Sequence, residues 1–98
     1  MSVEEMAREL GSTPDELIHE SIRTFLEEKI RFSRAEQLEI LRRYEVQSAK
    51  ELEAKIKDGT IPEHPAWEDL INLENSLAYQ KRLKELLRTL KTHRLNVM

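Results

Sequence analysis

Apolar residues recur along this chain at steps of three and four, the spacing of one helical face. The longest such run is Leu17, Ile18, Ile22, Phe25, Leu26 and Ile30. It fits a period near 3.6 and excludes a strand. Five helices are predicted. A short one lies near Val3–Leu10, and a second runs from Pro14 to about Arg31. A third covers Arg34 to about Tyr44 with Leu38 and Leu41 inward and Ile40 as a further candidate. A fourth spans Ala49–Lys57 on Leu52 and Ile56. The last runs from about Pro65 to His93 and carries Trp67, Leu70, Ile71, Leu73, Leu77, Leu83, Leu86, Leu87 and Leu90. The second and third could be continuous, since neither Gly nor Pro separates them. Gln80, Lys81 and Lys84 interrupt a strict heptad, which speaks against a long coiled coil.

Capping signals punctuate the same map. Ser2, Thr13, Ser33 and Ser48 are each followed three residues on by a glutamate, at Glu5, Glu16, Glu36 and Glu51. In this capping box the hydroxyl accepts from an early backbone N–H and the carboxylate reaches back. Pro14 suits a first helical position, where a missing N–H costs nothing. Gly11 and Gly59 stand where helices should end. The stretch Asp58–Pro65 is the one loop of any size. Fold class is therefore all-α: a short-helix, long-helix N-terminal unit, then a helical half ending in a long amphipathic helix. The 98 residues suit a single domain.

Charge changes this picture in one respect. Charged residues make up 36% of the chain, against 39% apolar, and the net charge is −3. Residues 1–34 hold eight acids against five bases, whereas residues 77–98 hold six bases against Glu85 alone. Such a basic end complements the helix dipole, attracts an acidic protein, or binds nucleic acid. Cysteine is absent, which excludes disulfides and thiolate metal sites and fits a reducing, cytoplasmic location. The first residues carry acids early and no apolar run, so no signal peptide is expected, nor any membrane span.

Candidate chemistry is sparse. His19, His64 and His93 fall on separate elements, and no two share a helix face at metal-ligand spacing. His64 with Glu68 or Asp69 could hold a cation at a helix start, although an exposed histidine near a cap explains it as well. Two glycines cannot form a phosphate-cradling loop. No catalytic residue, cofactor or metal is therefore expected. Trp67 follows Pro62 and Pro65, which deliver one large aromatic to the head of a helix. It reads either as a core anchor closing the last helix over the second and third, or as a partner hot spot.

Residues Val3–Leu26, with a short helix ending at Gly11 and the cap Ser12-Thr13-Pro14 opening a second, resemble the two helices of ribbon-helix-helix antitoxins and repressors. That resemblance implies a homodimer with Leu17, Ile18, Ile22, Phe25, Leu26 and Ile30 at its interface. It also implies that Ser12 and Thr13 form a cap contacting a DNA phosphate, as helix N-termini can. The region from Tyr44 to Asp69 is similar, less specifically, to the toxin-facing part of such antitoxins. One departure is plain. The family reads bases with a strand before the first helix, and here only Met1-Ser2-Val3 precede it. With the acidic balance of residues 1–34, this leaves DNA binding weak or absent.

The resulting expectation is an antitoxin-like interaction protein that binds a protein toxin and regulates its own operon. Residues 1–32 would hold the dimerisation helices and residues 59–95 the partner-binding segment, on Trp67, Leu70, Leu77, Lys81, Lys84 and Leu87. The alternatives are a DNA-binding transcriptional regulator without a toxin partner and a structural helical adaptor.

Overall fold

A computed structural model describes residues 1–92. Four α-helices follow in order: α1 (Val3–Glu9), α2 (Pro14–Arg43), α3 (Ala49–Lys57) and α4 (Glu63–Thr92). No strand occurs among the described residues. The expected second and third helices are one. Ser33 caps nothing; its hydroxyl donates to the Ile30 carbonyl from inside α2. A Ser-x-x-Glu spacing supports a cap only where the chain leaves helical dihedrals, and nothing near Ser33 makes it do so.

The hydroxyl half of the other three capping boxes forms. The hydroxyls of Ser2, Thr13 and Ser48 each accept from the backbone N–H three residues on, at 3.1 Å. Thr13→Ala and Ser48→Ala are each expected to cost ~1 kcal/mol in urea unfolding. Ser33→Ala removes no cap.

At the end of α1, Gly11 at φ 70° allows the Ser12 N–H to reach back to the Ala7 carbonyl at 2.8 Å. At the end of α2 the left-handed position is taken by Glu45, at φ 53°, with the Val46 N–H bonded to the Leu41 carbonyl at 3.0 Å. Val46 is buried there, so apolar contact holds a turn that glycine usually makes. His64 is non-helical (φ −106°, ψ 130°) and the His64–Pro65 bond is cis, so the regular turns of α4 begin at Pro65.

Helices α2 and α4, 30 residues each, pack antiparallel along a rod of 60 × 24 × 18 Å. The buried residues of α2 are Leu26, Ile30, Ser33, Gln37 and Ile40. Their alternating steps of four and three are a heptad seam. On α4 the seam runs through Ala66, Leu70, Leu73, Ser76, Gln80 and Leu83 to Leu90. Gln80, expected to interrupt a heptad, occupies a seam position instead. Leu38, expected inward, is exposed, and Ile40 takes its place because α2 continues in phase from Leu26.

Polar residues divide the seam. On one side Leu26 and Ile30 pack with Leu83 and Leu90, joined by the half-buried Ile22 and Leu87. On the other, Leu52 and Ile56 of α3 close over Ile40, Ala66, Leu70 and Leu73. Between them the Gln37 amide donates to the Ser76 hydroxyl (3.3 Å) and the Gln80 carbonyl oxygen (3.4 Å), and Ser76 donates to the Ser33 carbonyl (3.3 Å). Among the described residues no buried side-chain polar atom lacks a partner.

Candidate functional site

The seam covers one stripe of each long helix and leaves two flanks open. Each flank places different chemistry in reach of a partner.

The first flank lies along the last third of α4. Leu77, Gln80, Lys81, Lys84, Glu85 and Arg88 line a shallow concavity of about 320 Å³. Steps of three and four put them on adjacent turns. Arg82 pairs with Glu85 at 3.4 Å. Lys81, Lys84, Arg88 and Lys91 have no carboxylate partner among the described residues, as Arg8, Lys29, Arg34, Arg42 and Lys50 have none; what sets the strip apart is that four such bases follow one another on one helix. The strip is therefore a net positive field, with Glu85 inside it and an exposed leucine at its edge. Arg94 of the expected basic tail, and His93, the expected end of the last helix, lie outside the described residues.

On the second flank, Glu36, Glu39 and Arg43 of α2 face Asp69, Asn72, Asn75 and Tyr79 of α4 across a cleft of about 560 Å³. At its head Arg43 meets Asp69 at 2.9 Å, and the Tyr44 hydroxyl donates to the same carboxylate. Burial, then the Asp69 carboxylate, raises the Tyr44 hydroxyl above the ordinary tyrosine range. Asp69 likewise holds the Arg43 guanidinium further in its charged form. These contacts staple the α3 end of the hairpin. At the other end His19 Nε2 lies 3.2 Å from the Leu90 carbonyl oxygen.

Of the residues expected at a dimer interface, Leu26 and Ile30 are buried against α4 of the same chain, and Ile22 lies beside them. Leu17 and Ile18 are half-buried, and Phe25 is 57% exposed. A covalently attached helix thus covers the middle of this apolar face without the entropy cost of association.

The expected partner residues separate in the same way. Leu70 is 2% exposed and belongs to the core, and Leu87 is half-buried. The structure brings Leu77, Lys81 and Lys84 together on the basic strip. Trp67, 44% exposed, stands apart near α3, one turn from the exposed Ile71. The buried residue at the head of α4 is Ala66, so the tryptophan does not close the core.

At the start of α2 the Thr13 hydroxyl is engaged by the Glu16 N–H, and the Ser12 hydroxyl donates to the Glu16 carboxylate at 3.2 Å. A carboxylate already stands where a phosphate would approach. His64 Nδ1 lies 3.4 Å from Glu68 on an exposed turn. No group of three or more metal-ligating side chains occurs among the described residues. Nor is any described helix long and apolar enough to cross a membrane.

The polar layer of the seam was not anticipated from the sequence. Its signal was present in Ser33, Gln37, Ser76 and Gln80, polar residues at three- and four-residue steps in phase with leucines.

The chain belongs to the uncharacterized protein MJ0235 family, whose model matches residues 1–95. Neither a curated protein nor a solved structure matches it.

Proposed function

We propose that this protein is an antitoxin-like interaction module that takes an acidic surface of a partner protein on the basic strip of α4. The observation that carries this reading is the run Lys81, Lys84, Arg88 and Lys91, without carboxylate partners among the described residues and bordered by the exposed Leu77. Uncompensated charge of one sign steers a partner of the other sign, and an apolar edge slows its release. Trp67 and Ile71 offer a second, apolar contact nearer α3.

A protein partner suits the strip better than duplex DNA. Glu85 stands within it, and the acid-rich first third of the chain belongs to the same rod. The likeness of residues 3–26 to antitoxin helices is the reason to look for a toxin.

The test is co-expression with the product of the adjacent gene. That product alone should arrest growth, and this chain should relieve the arrest and co-purify with it. The triple variant Lys81→Glu, Lys84→Glu, Arg88→Glu should lose both effects while keeping its helical circular dichroism. A harmless neighbour, or a variant that binds as well as the parent, sinks the proposal. Tight binding to the upstream DNA at physiological salt, with no protein complex, would replace it with the regulator reading.

A further inference from the structure

The flank of the rod that carries the polar cleft continues toward the other end as an aromatic surface. Tyr79 lines that cleft together with Glu36. Phe32 precedes Glu36 by one turn of α2, and Phe25 precedes Phe32 by two turns. Leu86 follows Tyr79 by two turns of α4. The antiparallel register, with Gln37 bonded to Ser76 and His19 to Leu90, sets Phe32 level with Tyr79 and Phe25 level with Leu86. Phe25 is 57%, Phe32 63% and Tyr79 49% exposed, and Leu86 is also open. These four form one apolar patch, about 10 Å from level to level.

We infer that this patch is the contact between two copies of the chain, paired antiparallel about a two-fold axis that crosses α2 between Glu28 and Lys29. Area is the first ground. An aromatic side chain offers about 150–250 Å², so the three rings leave roughly 350 Å² uncovered per copy at their observed exposures. Two copies would bury roughly 700 Å² from the rings alone, a sizeable apolar centre for a standard interface of about 1,600 Å². The α4 side of this flank carries Asn72, Asn75, Tyr79 and Leu86, with Arg82, paired to Glu85, between the last two. Aromatic residues and arginine are both enriched at interface centres.

Charge selects the occupant. Glu28 and Lys29 lie midway between Phe25 and Phe32, and Lys29 Nζ sits 5.5 Å from the Phe25 ring centroid. A two-fold axis between them sets Glu28, which also holds Arg31 of its own chain, against Lys29 of the second copy and Lys29 against Glu28 of the second copy. The same operation lays Phe25 on Phe32 of the second copy and Tyr79 on Leu86 of the second copy, and sets Arg82 beside Arg82 of the second copy, each held by its own Glu85. An isologous contact requires this self-complementarity. A partner of one charge sign would meet either Glu28 or Lys29 unfavourably.

Sedimentation velocity and light scattering on the full chain test the inference. The parent should be a dimer at micromolar concentration. Phe32→Glu should make it monomeric with unchanged circular dichroism and a melting temperature that no longer rises with concentration, because the ring is exposed in the single chain. Ile71→Glu, an exposed apolar position on another flank, should leave the dimer intact. Lys29→Glu sets acid against acid and should weaken dimerisation roughly tenfold at low salt. Adding Glu28→Lys to that variant should restore it. A parent that stays monomeric at high concentration overturns the inference, as does a dimer broken by Ile71→Glu but not by Phe32→Glu. Failure of the double charge exchange to restore pairing also overturns it. None of these readings depends on a partner for the basic strip, so the two proposals stand or fall separately.

Discussion

Leu70→Ala is expected to lower stability by about 2–5 kcal/mol, read as the shift in the urea midpoint at constant slope. Leu70 is 2% exposed, at the point where α3, the end of α2 and the head of α4 meet. Removing its isobutyl group loses the transfer free energy and leaves a cavity that three fixed helices cannot close. A domain of this size has about 5–15 kcal/mol in all, so the loss is a large share. Trp67→Ala, three residues away, is expected to cost about 2 kcal/mol, at the bottom of the Leu70 range, since nearly half of that side chain is already in water and its loss leaves no closed cavity. The contrast is the useful measurement. If Trp67→Ala proves as damaging as Leu70→Ala, the tryptophan belongs to the core and cannot serve as a partner contact.

The second large effect changes sign with the number of substitutions. Gln37→Leu alone should destabilise the protein by about 1–3 kcal/mol, because it leaves the Ser76 and Gln80 side chains buried without their amide donor. The triple variant Gln37→Leu, Ser76→Ala, Gln80→Leu should instead be more stable than the parent, by roughly 2 kcal/mol. It joins the two apolar clusters into one continuous seam and leaves no polar side chain wanting a partner in that layer. On that outcome the polar layer lowers stability and secures register. Gln37 finds its partners only when α2 and α4 are aligned as observed, whereas leucine accepts a slip of one heptad. Unfolding curves for the single and triple variants decide the matter. A single variant more stable than the parent would mean that the amide bonds contribute nothing.

Caps and apolar periods were legible without coordinates. Ser2, Thr13 and Ser48 act where their spacing placed them, because a capping box is a local device closed within four residues. Leu52 and Ile56 were readable as the inner face of a helix for the same reason. The all-helical class follows from the period, which no distant contact alters. Ser33 marks where local reading ends. Its box has the same letters as the others, yet its hydroxyl turns to the Ile30 carbonyl within a continuous helix. What separates it from Thr13 is the neighbouring backbone: Gly11 and Pro14 flank Thr13, and nothing near Ser33 takes the chain out of the helix.

Tertiary structure decided which partner each apolar face meets. Leu26 and Ile30 present the same stripe whether the cover is a second chain or α4, and nothing within α2 distinguishes the two. The fold supplies α4 from the same chain, because two long helices joined through α3 reach each other without loss of translational freedom. In consequence Phe25 and Phe32, one flank away, remain open, and Gln80 becomes a buried partner of Gln37. By itself the sequence determined where helices start and which faces are apolar, since both depend on residues within a turn or two. Pairing, register and the identity of the uncovered surface depend on contacts some 40 residues apart, and only the folded chain decides them.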